Sequence, residues 1–198
     1  DIEKSYDNVK KLTIENGHIE NFYDEFMKFC CYKKNKVFIN FRPEDVAYGG
    51  GNIFTYNMVN YLRNNNICVE YNLNSFIGIF LIIDPFPGRY KKYGLKDIID
   101  FKLKNKLNSK IVIRVNDCDV TRSNVKPENS RELCISKNYK NIDYLIFNSD
   151  FIKEYYLKKY PVMKGIDNCV IYNGGNSQIF YPMKQMTLSH KEKIKIVT

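Results

Sequence analysis

Short β-rich runs alternate with segments of helical period along most of this chain, and this alternation limits the folds open to it. The runs lie at 37–41, 67–71, 76–83, 111–115, 144–147 and 169–172. The third run is apolar throughout, which is typical of a strand covered on both faces of a parallel sheet. Strands that alternate with helices at this spacing require right-handed βαβ crossovers. We therefore predict an α/β fold with a Rossmann-like, doubly wound, mostly parallel sheet.

Four helices are predicted between these strands. The first follows a glycine triplet at 49–51, the second carries apolar residues from 95 to 103, the third is short and covers about 133–139, and the fourth runs from an N-cap at 148–150 to Tyr160. In the second helix Leu95, Ile98, Ile99 and Leu103 recur at the spacing of one helix face. Pro161 ends the fourth helix because proline cannot continue the hydrogen-bond ladder.

The chain divides into three predicted parts. Residues 1–36 form a helical lead-in, 37–182 form the Rossmann-like domain, and 183–198 form a linker with the start of a second domain, including a strand at 193–197. The lead-in is predicted to be helical because apolar residues recur there at i, i+3, i+4, i+7, i+8 and i+11. These residues are Ile19, Phe22, Tyr23, Phe26, Met27 and Cys30.

Charge and cysteine content narrow the class of partner and the cell compartment. The 198 residues carry 31 Lys and Arg against 22 Asp and Glu, a formal net charge of +9. Such an excess favours an anionic partner, whether nucleic acid, acidic lipid or sugar phosphate. The longest apolar run, 76–83, is well short of the ~20 residues of a membrane helix. Six cysteines without a Cys-x-x-Cys pair favour reduced thiols. We therefore expect an intracellular, cytoplasmic protein, with peripheral membrane contact left open.

One rim of the predicted sheet gathers most of the residues that could carry function. Ligands of doubly wound sheets bind beyond the carboxyl ends of the strands, and the loops at 49–52, 84–87, 116–122, 148–150 and 173–176 lie there. Arg114 sits inside a predicted strand and must face a crevice or pair with a carboxylate, because burying an unpaired charge is costly. The candidate binding residues are Gly49, Gly50, Gly51, Asn52, Asp84, Arg114, Asn116, Asp117, Asp119, Arg122, Asn148, Ser149, Asn173 and Gly174.

The glycine triplet allows backbone N–H groups to approach an anion at a helix N-terminus. It does not match the G-x-G-x-x-G fingerprint of dinucleotide sites, because Phe54 falls at the third glycine, and it lacks the Gly-Lys-Ser/Thr of a P-loop. Glu70, about twenty residues further on, keeps a ribose-binding interpretation open. A tight strand-to-helix turn without a ligand is a further alternative.

A second motif, Asp117-Cys118-Asp119, resembles the Asp-x-Asp with which some glycosyltransferases hold a divalent metal on a nucleotide diphosphate. A solvated turn with local ion pairs is the alternative. The two histidines, His18 and His190, lie in the lead-in and the linker. Proton transfer would therefore fall to a carboxylate or to the substrate itself.

Several elements, taken in order, resemble those of a known domain. The glycine triplet opens a helix, Arg114-Val115-Asn116-Asp117 follows a strand, the run 143–149 has the form Asp, apolar strand, Ser, and the runs 170–174 and 180–182 read Val-Ile-Tyr-Asn-Gly and Phe-Tyr-Pro. From residue 37 to 198 the chain resembles the N-terminal half of a GT-B glycosyltransferase of the retaining family 4 type.

The resemblance implies transfer of a sugar, with retention, from a nucleotide-sugar to an acceptor hydroxyl in a cleft between two domains. This half would supply the acceptor side, the donor would be held mainly by a C-terminal domain, and the fragment alone would be inactive. The acceptor would be a glycan, a lipid-linked molecule or a protein, and no cofactor or metal is implied beyond the nucleotide-sugar co-substrate. Gly50 and Gly51 would approach donor phosphate or acceptor, and Asp84 matches an acidic position at the cleft. Asn116 falls where many members carry a histidine, so Asn116 and its neighbour Asp117 are the catalytic candidates.

Two other functions stay open from the sequence. The first is a metal-dependent GT-A glycosyltransferase that uses Asp117 and Asp119 as ligands. The second is a non-enzymatic basic module that binds nucleic acid or an anionic membrane, although the lysine clusters lack a recognised nucleic-acid-binding layout and no specific nucleic acid is expected.

Overall fold

A six-stranded parallel sheet forms the centre of the molecule. The computed structural model describes residues 36–44, 49–122 and 125–172. The strands are β1 (Lys36–Ile39), β2 (Cys68–Glu70), β3 (Ile79–Ile82), β4 (Lys110–Val115), β5 (Tyr144–Phe147) and β6 (Asp167–Val170). Their order is β2-β1-β3-β4-β5-β6, and every neighbouring pair is parallel. The predicted α/β, Rossmann-like class is confirmed.

Helices cover both faces of this sheet. They are α1 (Gly49–Asn64), α2 (Leu95–Lys104), α3 (Arg131–Lys137) and α4 (Asp150–Lys159). The side chains of Phe54, Met58 and Leu62 from α1 pack on one face, whereas α2, α3 and α4 contribute to the core on the other. All four residues of β3 are buried, as expected of a central parallel strand with helices on both sides.

The sheet has its topological switch point between β1 and β3. The helix that follows β1 lies on one face of the sheet, and the helix that follows β3 lies on the opposite face. The two loops therefore leave the sheet in opposite directions and open a crevice beyond the carboxyl ends of these strands. This crevice is where a ligand of such a sheet is expected.

Both ends of α4 follow the predicted signals. The Ser149 hydroxyl accepts from the N–H of Ile152 at 3.3 Å and caps the helix, which ends at Lys159, two residues before Pro161. Ser130 caps α3 in the same way, accepting from Leu133 N–H at 3.0 Å. Capping residues of this kind satisfy donors that have no partner inside the helix.

Several predicted features differ from the observed ones. The strand predicted at 76–83 is only Ile79–Ile82, because the connection from β2 contains no helix and residues 71–78 are needed to cross β1; Phe76 is exposed. The last strand is Asp167–Val170 rather than 169–172, since it pairs with β5 from Tyr144 onward. The glycine triplet was expected to be a loop, and it forms the first turn of α1 instead. Leu103, expected on the same helix face as Leu95, Ile98 and Ile99, is 60% exposed, whereas those three residues are buried.

Some predictions fall on residues outside the described ranges. These are the helical lead-in, the strand at 193–197 and the boundary at 182. Within the described residues, no helix combines the length and the apolar character needed to cross a bilayer.

Candidate functional site

A cleft of about 450 Å³ opens at the switch point. Its floor consists of Val115, the last residue of β4, and of residues that follow β3 and β4, namely Ile83, Asp84, Asn116 and Asp117. The first turn of α1, with Gly51 and Asn52, lies on one side together with Arg114; Arg131, Ile135 and Tyr156 lie on the other. A short hairpin closed by backbone hydrogen bonds between Gly88 and Lys91 covers part of the opening.

Asp84 is the central carboxylate of the cleft. Its Oδ2 accepts from Nη2 of Arg131 at 2.6 Å and from Nζ of Lys91 at 2.8 Å, while Oδ1 accepts from the N–H of Phe86 at 3.0 Å. Burial by itself would raise the pKa of Asp84, but hydrogen bonds from Arg131 and Lys91 outweigh it, so the pKa lies below its ordinary value. Asp84 is therefore a charged anchor and a poor general base.

Arg131 links Asp84 to Asp117. Its Nη1 donates to Oδ2 of Asp117 at 3.1 Å, and Nε of Arg122 lies 3.5 Å from the same oxygen. Burial lowers the pKa of Arg131, but the hydrogen bond and charge of Asp84 more than compensate, and the pKa is raised. The result is an alternating chain of charges, Lys91, Asp84, Arg131, Asp117 and Arg122, along the cleft floor and its edge.

A second row of polar groups supports this chain from behind. Asp119 accepts from Arg122 Nη2 at 2.9 Å and from the hydroxyl of Ser130. The fully buried Glu132 accepts from the backbone N–H of Asp119 and, at 2.7 Å, from Nζ of Lys159. Its hydrogen bond raises the pKa of Lys159. These contacts fix the loop 117–122 against α3 and α4.

Tyr156 connects the loop that carries Asp117 to the hydrophobic core. Its ring is fully buried and packs on Phe147 at 5.8 Å between centroids, and its hydroxyl donates to the carbonyl of Asp117 at 3.2 Å. Burial raises the pKa of Tyr156 strongly, so the hydroxyl stays protonated and remains a donor.

Arg114 occupies the face of the sheet that α1 covers. The side chain is 5% exposed, and its guanidinium carbon lies 3.7 Å from the centroid of the Phe54 ring. This stacking on an aromatic face is one way in which a planar guanidinium is stabilised inside a protein. Arg114 lines the cleft, which is one of the two arrangements expected from its position in a strand.

Asn40 is a site residue that the sequence did not reveal. It is buried at the end of β1, where its Nδ2 donates to the carbonyls of Asp84 at 2.6 Å and Tyr93 at 3.2 Å. Its Oδ1 accepts from the N–H of Ile83 at 2.8 Å. One amide thereby ties the end of β1 to the end of β3 and sets the width of the crevice at its base.

The glycine-rich turn of α1 leaves room in the cleft. A Cβ added to Gly50 or Gly51 would meet nothing within 4 Å. The neighbouring Asn52 has a side chain that is held by the backbone of Glu44: its amide accepts from Glu44 N–H at 2.9 Å and donates to Glu44 C=O at 2.8 Å. Asn52 therefore holds the segment after β1 beside the helix start.

The predicted site residues fall into three groups. Gly51, Asn52, Asp84, Arg114, Asn116 and Asp117 line the cleft. Asp119, Arg122, Asn148 and Ser149 take structural contacts behind it, with Asn148 donating to the carbonyl of Asn116 at 3.0 Å, and Gly49 and Gly50 belong to the helix turn that leads into it. Asn173 and Gly174 lie outside the described residues.

The cleft has an excess of positive charge. Among the described residues, four cationic side chains line it, those of Arg89, Lys91, Arg114 and Arg131, against the two carboxylates of Asp84 and Asp117. The first turn of α1 carries no acidic residue, and the positive end of the helix dipole adds to the field there. An anionic ligand is therefore the chemical class that this cleft favours.

The Asp117-Cys118-Asp119 motif does not resemble a metal site in its contacts. Asp117 is paired with Arg131 and Arg122, and Asp119 with Arg122 and Ser130. In the part of the chain that the structure describes, no three His, Cys, Asp or Glu side chains gather in a way that could hold a metal ion. The local ion pairs expected as the alternative are what the loop contains.

Comparison with known proteins adds no assignment: no protein-family model matches the chain, and no curated protein matches it at a significant level.

Proposed function

We propose that this domain supplies the acceptor side of the cleft in a GT-B glycosyltransferase that transfers a sugar from a nucleotide-sugar with retention. One observation carries the proposal: a cationic cleft at the switch point of a parallel sheet, with an uncrowded glycine turn of a helix in its wall. Helix N-termini with close backbone approach suit phosphate groups. The order of sequence motifs described above gives the finer assignment to a retaining, family 4-like enzyme.

In this proposal, each residue of the cleft has a role that follows from its position: contact with phosphate, contact with the sugar, or support of Arg131. The first turn of α1 at Gly51, with Arg114 and Arg131, faces the phosphates, because these groups supply N–H donors and positive charge. Asn116 lies on the floor next to Asp117 and offers an amide to the hydroxyls of a sugar. Asp84 and Asp117 hold Arg131 in place through its two ends.

The proposed reaction needs no histidine as a general base. The bond from the anomeric carbon to the donor phosphate oxygen breaks, and a bond to the acceptor oxygen forms on the same face of the sugar. The acceptor proton passes to the departing phosphate oxygen, which becomes more basic as the bond breaks. Arg114 and Arg131 stabilise the negative charge that develops on the phosphate. A second domain, following residue 182, would hold most of the donor.

The proposal is tested by activity and by one small substitution. The complete translation product should release nucleotide from UDP-glucose or GDP-mannose when an acceptor mixture is present. Gly51→Ala should lower this rate about tenfold or more, because a methyl group would enter the space meant for phosphate.

Gly165→Ala is the matched control. Its Cβ would also meet open space, but it lies in the turn Pro161–Gly165, away from the cleft. Absence of turnover with both donors and with UDP-galactose and UDP-N-acetylglucosamine would contradict the enzyme assignment. Equal rates for Gly51→Ala and Gly165→Ala would contradict the role of the α1 turn.

A further inference from the structure

A second cavity, of about 410 Å³, lies on the other side of the hairpin that covers the cleft. Both spaces are lined by Gly88, Arg89, Tyr90 and Lys91, so the hairpin is their common wall. We call this second space the side cavity. It lies beyond the carboxyl ends of β1 and β2. Polar side chains line it, among them those of Arg42, Glu44, Tyr71, Asn72, Arg89 and Lys92.

Three cations stand over tyrosine rings at the side cavity. The guanidinium of Arg42 lies 5.7 Å from the ring centroid of Tyr71, that of Arg89 lies 5.1 Å from Tyr90, and Nζ of Lys92 lies 5.0 Å from Tyr93. A cation held over an aromatic face loses less freedom when a ligand arrives. The side cavity is therefore lined by cations that are already oriented.

Among the described residues, no carboxylate pairs with any of these three cations. Across residues 36–44, 49–122 and 125–172, no ion pair involves Arg42, Arg89 or Lys92, while Lys91 is paired with Asp84 on the cleft side. Among the described residues that line the side cavity, Glu44 is the single acidic one. Three cations against one carboxylate leave an excess of two positive charges, which favours an anionic ligand.

Hydrogen-bonding groups are mixed with these charges. Tyr71 is half-buried at the side cavity, the amide of Asn72 accepts from Lys92 Nζ at 3.4 Å, and the carboxylate of Glu44 is exposed there. A carboxylate accepts hydrogen bonds from hydroxyl groups, whereas a phosphate or carboxylate on a ligand needs the cations. A ligand that offers both hydroxyl donors and one anionic group matches this combination.

We propose that the side cavity binds an anionic sugar, a hexose carrying a phosphate or a carboxylate, and that this sugar is the acceptor. The acceptor role rests on the function proposed above. The position supports it, because the N–H of Arg42 donates to the carbonyl of Tyr90 at 2.9 Å and Phe41 packs on the Tyr90 ring at 5.9 Å. The described residues that line both spaces all belong to the hairpin, so the side cavity adjoins the cleft in which the donor phosphates would lie.

The binding test uses calorimetry on the 198-residue chain with glucose 6-phosphate, glucuronate, glucose, inorganic phosphate and AMP. Glucose 6-phosphate and glucuronate should bind, with glucose and inorganic phosphate each about tenfold weaker or more. Arg42→Gln should weaken glucose 6-phosphate about tenfold, because a charge-assisted contact is lost. Arg42 is exposed, so the variant should remain folded, which its thermal midpoint verifies; Arg89→Gln repeats the test at a second position.

Lys96→Gln is the control for a change of charge alone, since Lys96 is 82% exposed in a surface pair with Asp100. It should leave the affinity for glucose 6-phosphate unchanged. Binding of inorganic phosphate as tight as that of glucose 6-phosphate, and weakened equally by Arg42→Gln, would reduce the side cavity to an unspecific anion site and overturn the proposal. Binding of AMP that is tighter than that of either sugar and is weakened by Arg42→Gln would overturn the ligand class.

The acceptor role and the glycosyltransferase assignment fail in different ways. If glucose 6-phosphate binds in an Arg42-dependent way but the protein never releases nucleotide from a nucleotide-sugar, the side cavity is a ligand site and the glycosyltransferase assignment is wrong. If the enzyme turns over and its KM for an anionic acceptor is unaffected by Arg42→Gln, the glycosyltransferase assignment holds and the side cavity is not the acceptor site. The expected result is a raised acceptor KM with an unchanged KM for the donor.

Discussion

Asp84 shows how one carboxylate can connect a strand end, a hairpin and a helix. It follows β3, binds Lys91 of the hairpin, and binds Arg131 at the start of α3. The three side chains are between 11% and 28% exposed. Removing one member of such a group is costly, because the opposite charges stay partly buried without their partner.

We expect Asp84→Asn to lower the free energy of unfolding by about 2 kcal/mol at pH 7. The folded pKa of Asp84 is depressed, so its contribution is full above the unfolded pKa of about 4 and is lost as pH falls through the folded pKa. The difference between wild type and variant should therefore shrink below about pH 4. Urea unfolding at pH 7, 5, 4 and 3 measures it.

Asp100→Asn is the control for this series, since Asp100 is 60% exposed in its pair with Lys96 and should change stability by less than about 0.5 kcal/mol. Asp143, whose pKa is also depressed, keeps some acid sensitivity in the Asp84 variant. A constant difference between wild type and Asp84→Asn down to pH 3 would contradict the linkage.

Asn40 has no charge, yet it holds the two strands at the switch point together. Asn40→Ala should destabilise the protein by about 2–4 kcal/mol, because the buried N–H of Ile83 and carbonyl of Asp84 lose their partner. Chemical denaturation checks the value. Asn65→Ala, which removes an exposed bond to Tyr61 at 2.9 Å, should stay within about 0.5 kcal/mol of wild type, and equal effects of the two substitutions would refute the role of Asn40.

Two glycines at helix starts should respond in opposite ways to the same methyl group. At Gly51, in the first turn of α1, the added Cβ meets open space, and alanine should raise stability by up to about 1 kcal/mol. At Gly94, the N-cap of α2, the Cβ would lie 2.8 Å from both the Pro85 carbonyl oxygen and Pro87 Cδ. Alanine there should cost about 1–3 kcal/mol.

Thermal unfolding of Gly51→Ala, Gly94→Ala and the double variant tests this pair. The double variant should equal the sum of the single changes, provided that the two sites act independently. A loss of stability in Gly51→Ala would show that the α1 turn is packed more closely than the structure indicates. No loss in Gly94→Ala would show that the loop 84–87 can move away.

Element types were predictable from sequence to a greater extent than element limits. β5 has the predicted bounds, and its apolar run, Tyr144–Phe147, lies between the polar residues Asp143 and Asn148. The run 76–83 also lies between polar residues, Ser75 and Asp84, but only Ile79–Ile82 within it forms β3, and Ile77 is buried in the core without belonging to the strand. Apolar character reports burial, and strand pairing depends on neighbours that the sequence does not name.

The same distinction applies to the site. The rule that ligands bind at strand ends selected Asp84, Asn116 and Asp117 because they lie in the first two positions after a predicted strand. Arg131 was missed, since it lies 47 positions from Asp84 in a segment without any pattern. Lys91 and Tyr156 were missed for a related reason: which lysine or tyrosine faces the cleft is decided by the packing of the hairpin and of α4.

At the scale of the molecule, stability should decrease from the centre of the sheet to its edges. β4 pairs on both sides and buries five of its six residues, whereas β2 has three residues and, among the described strands, pairs only with β1. Native-state hydrogen exchange should show β4 amides exchanging only through global unfolding and Val69 exchanging at least about tenfold faster. Equal protection of β2 and β4 would mean that the edge is covered by other parts of the chain.

The hairpin at 88–91 couples ligand binding in the cleft to ligand binding in the side cavity, because it forms a wall of both. Lys91 fastens it to Asp84 on one side, and the carbonyl of Tyr90 fastens it to Arg42 on the other. A ligand that moves this wall outward from one space must narrow the space behind it. Affinities on its two sides are then linked, and each occupant changes the binding of the other by the same factor.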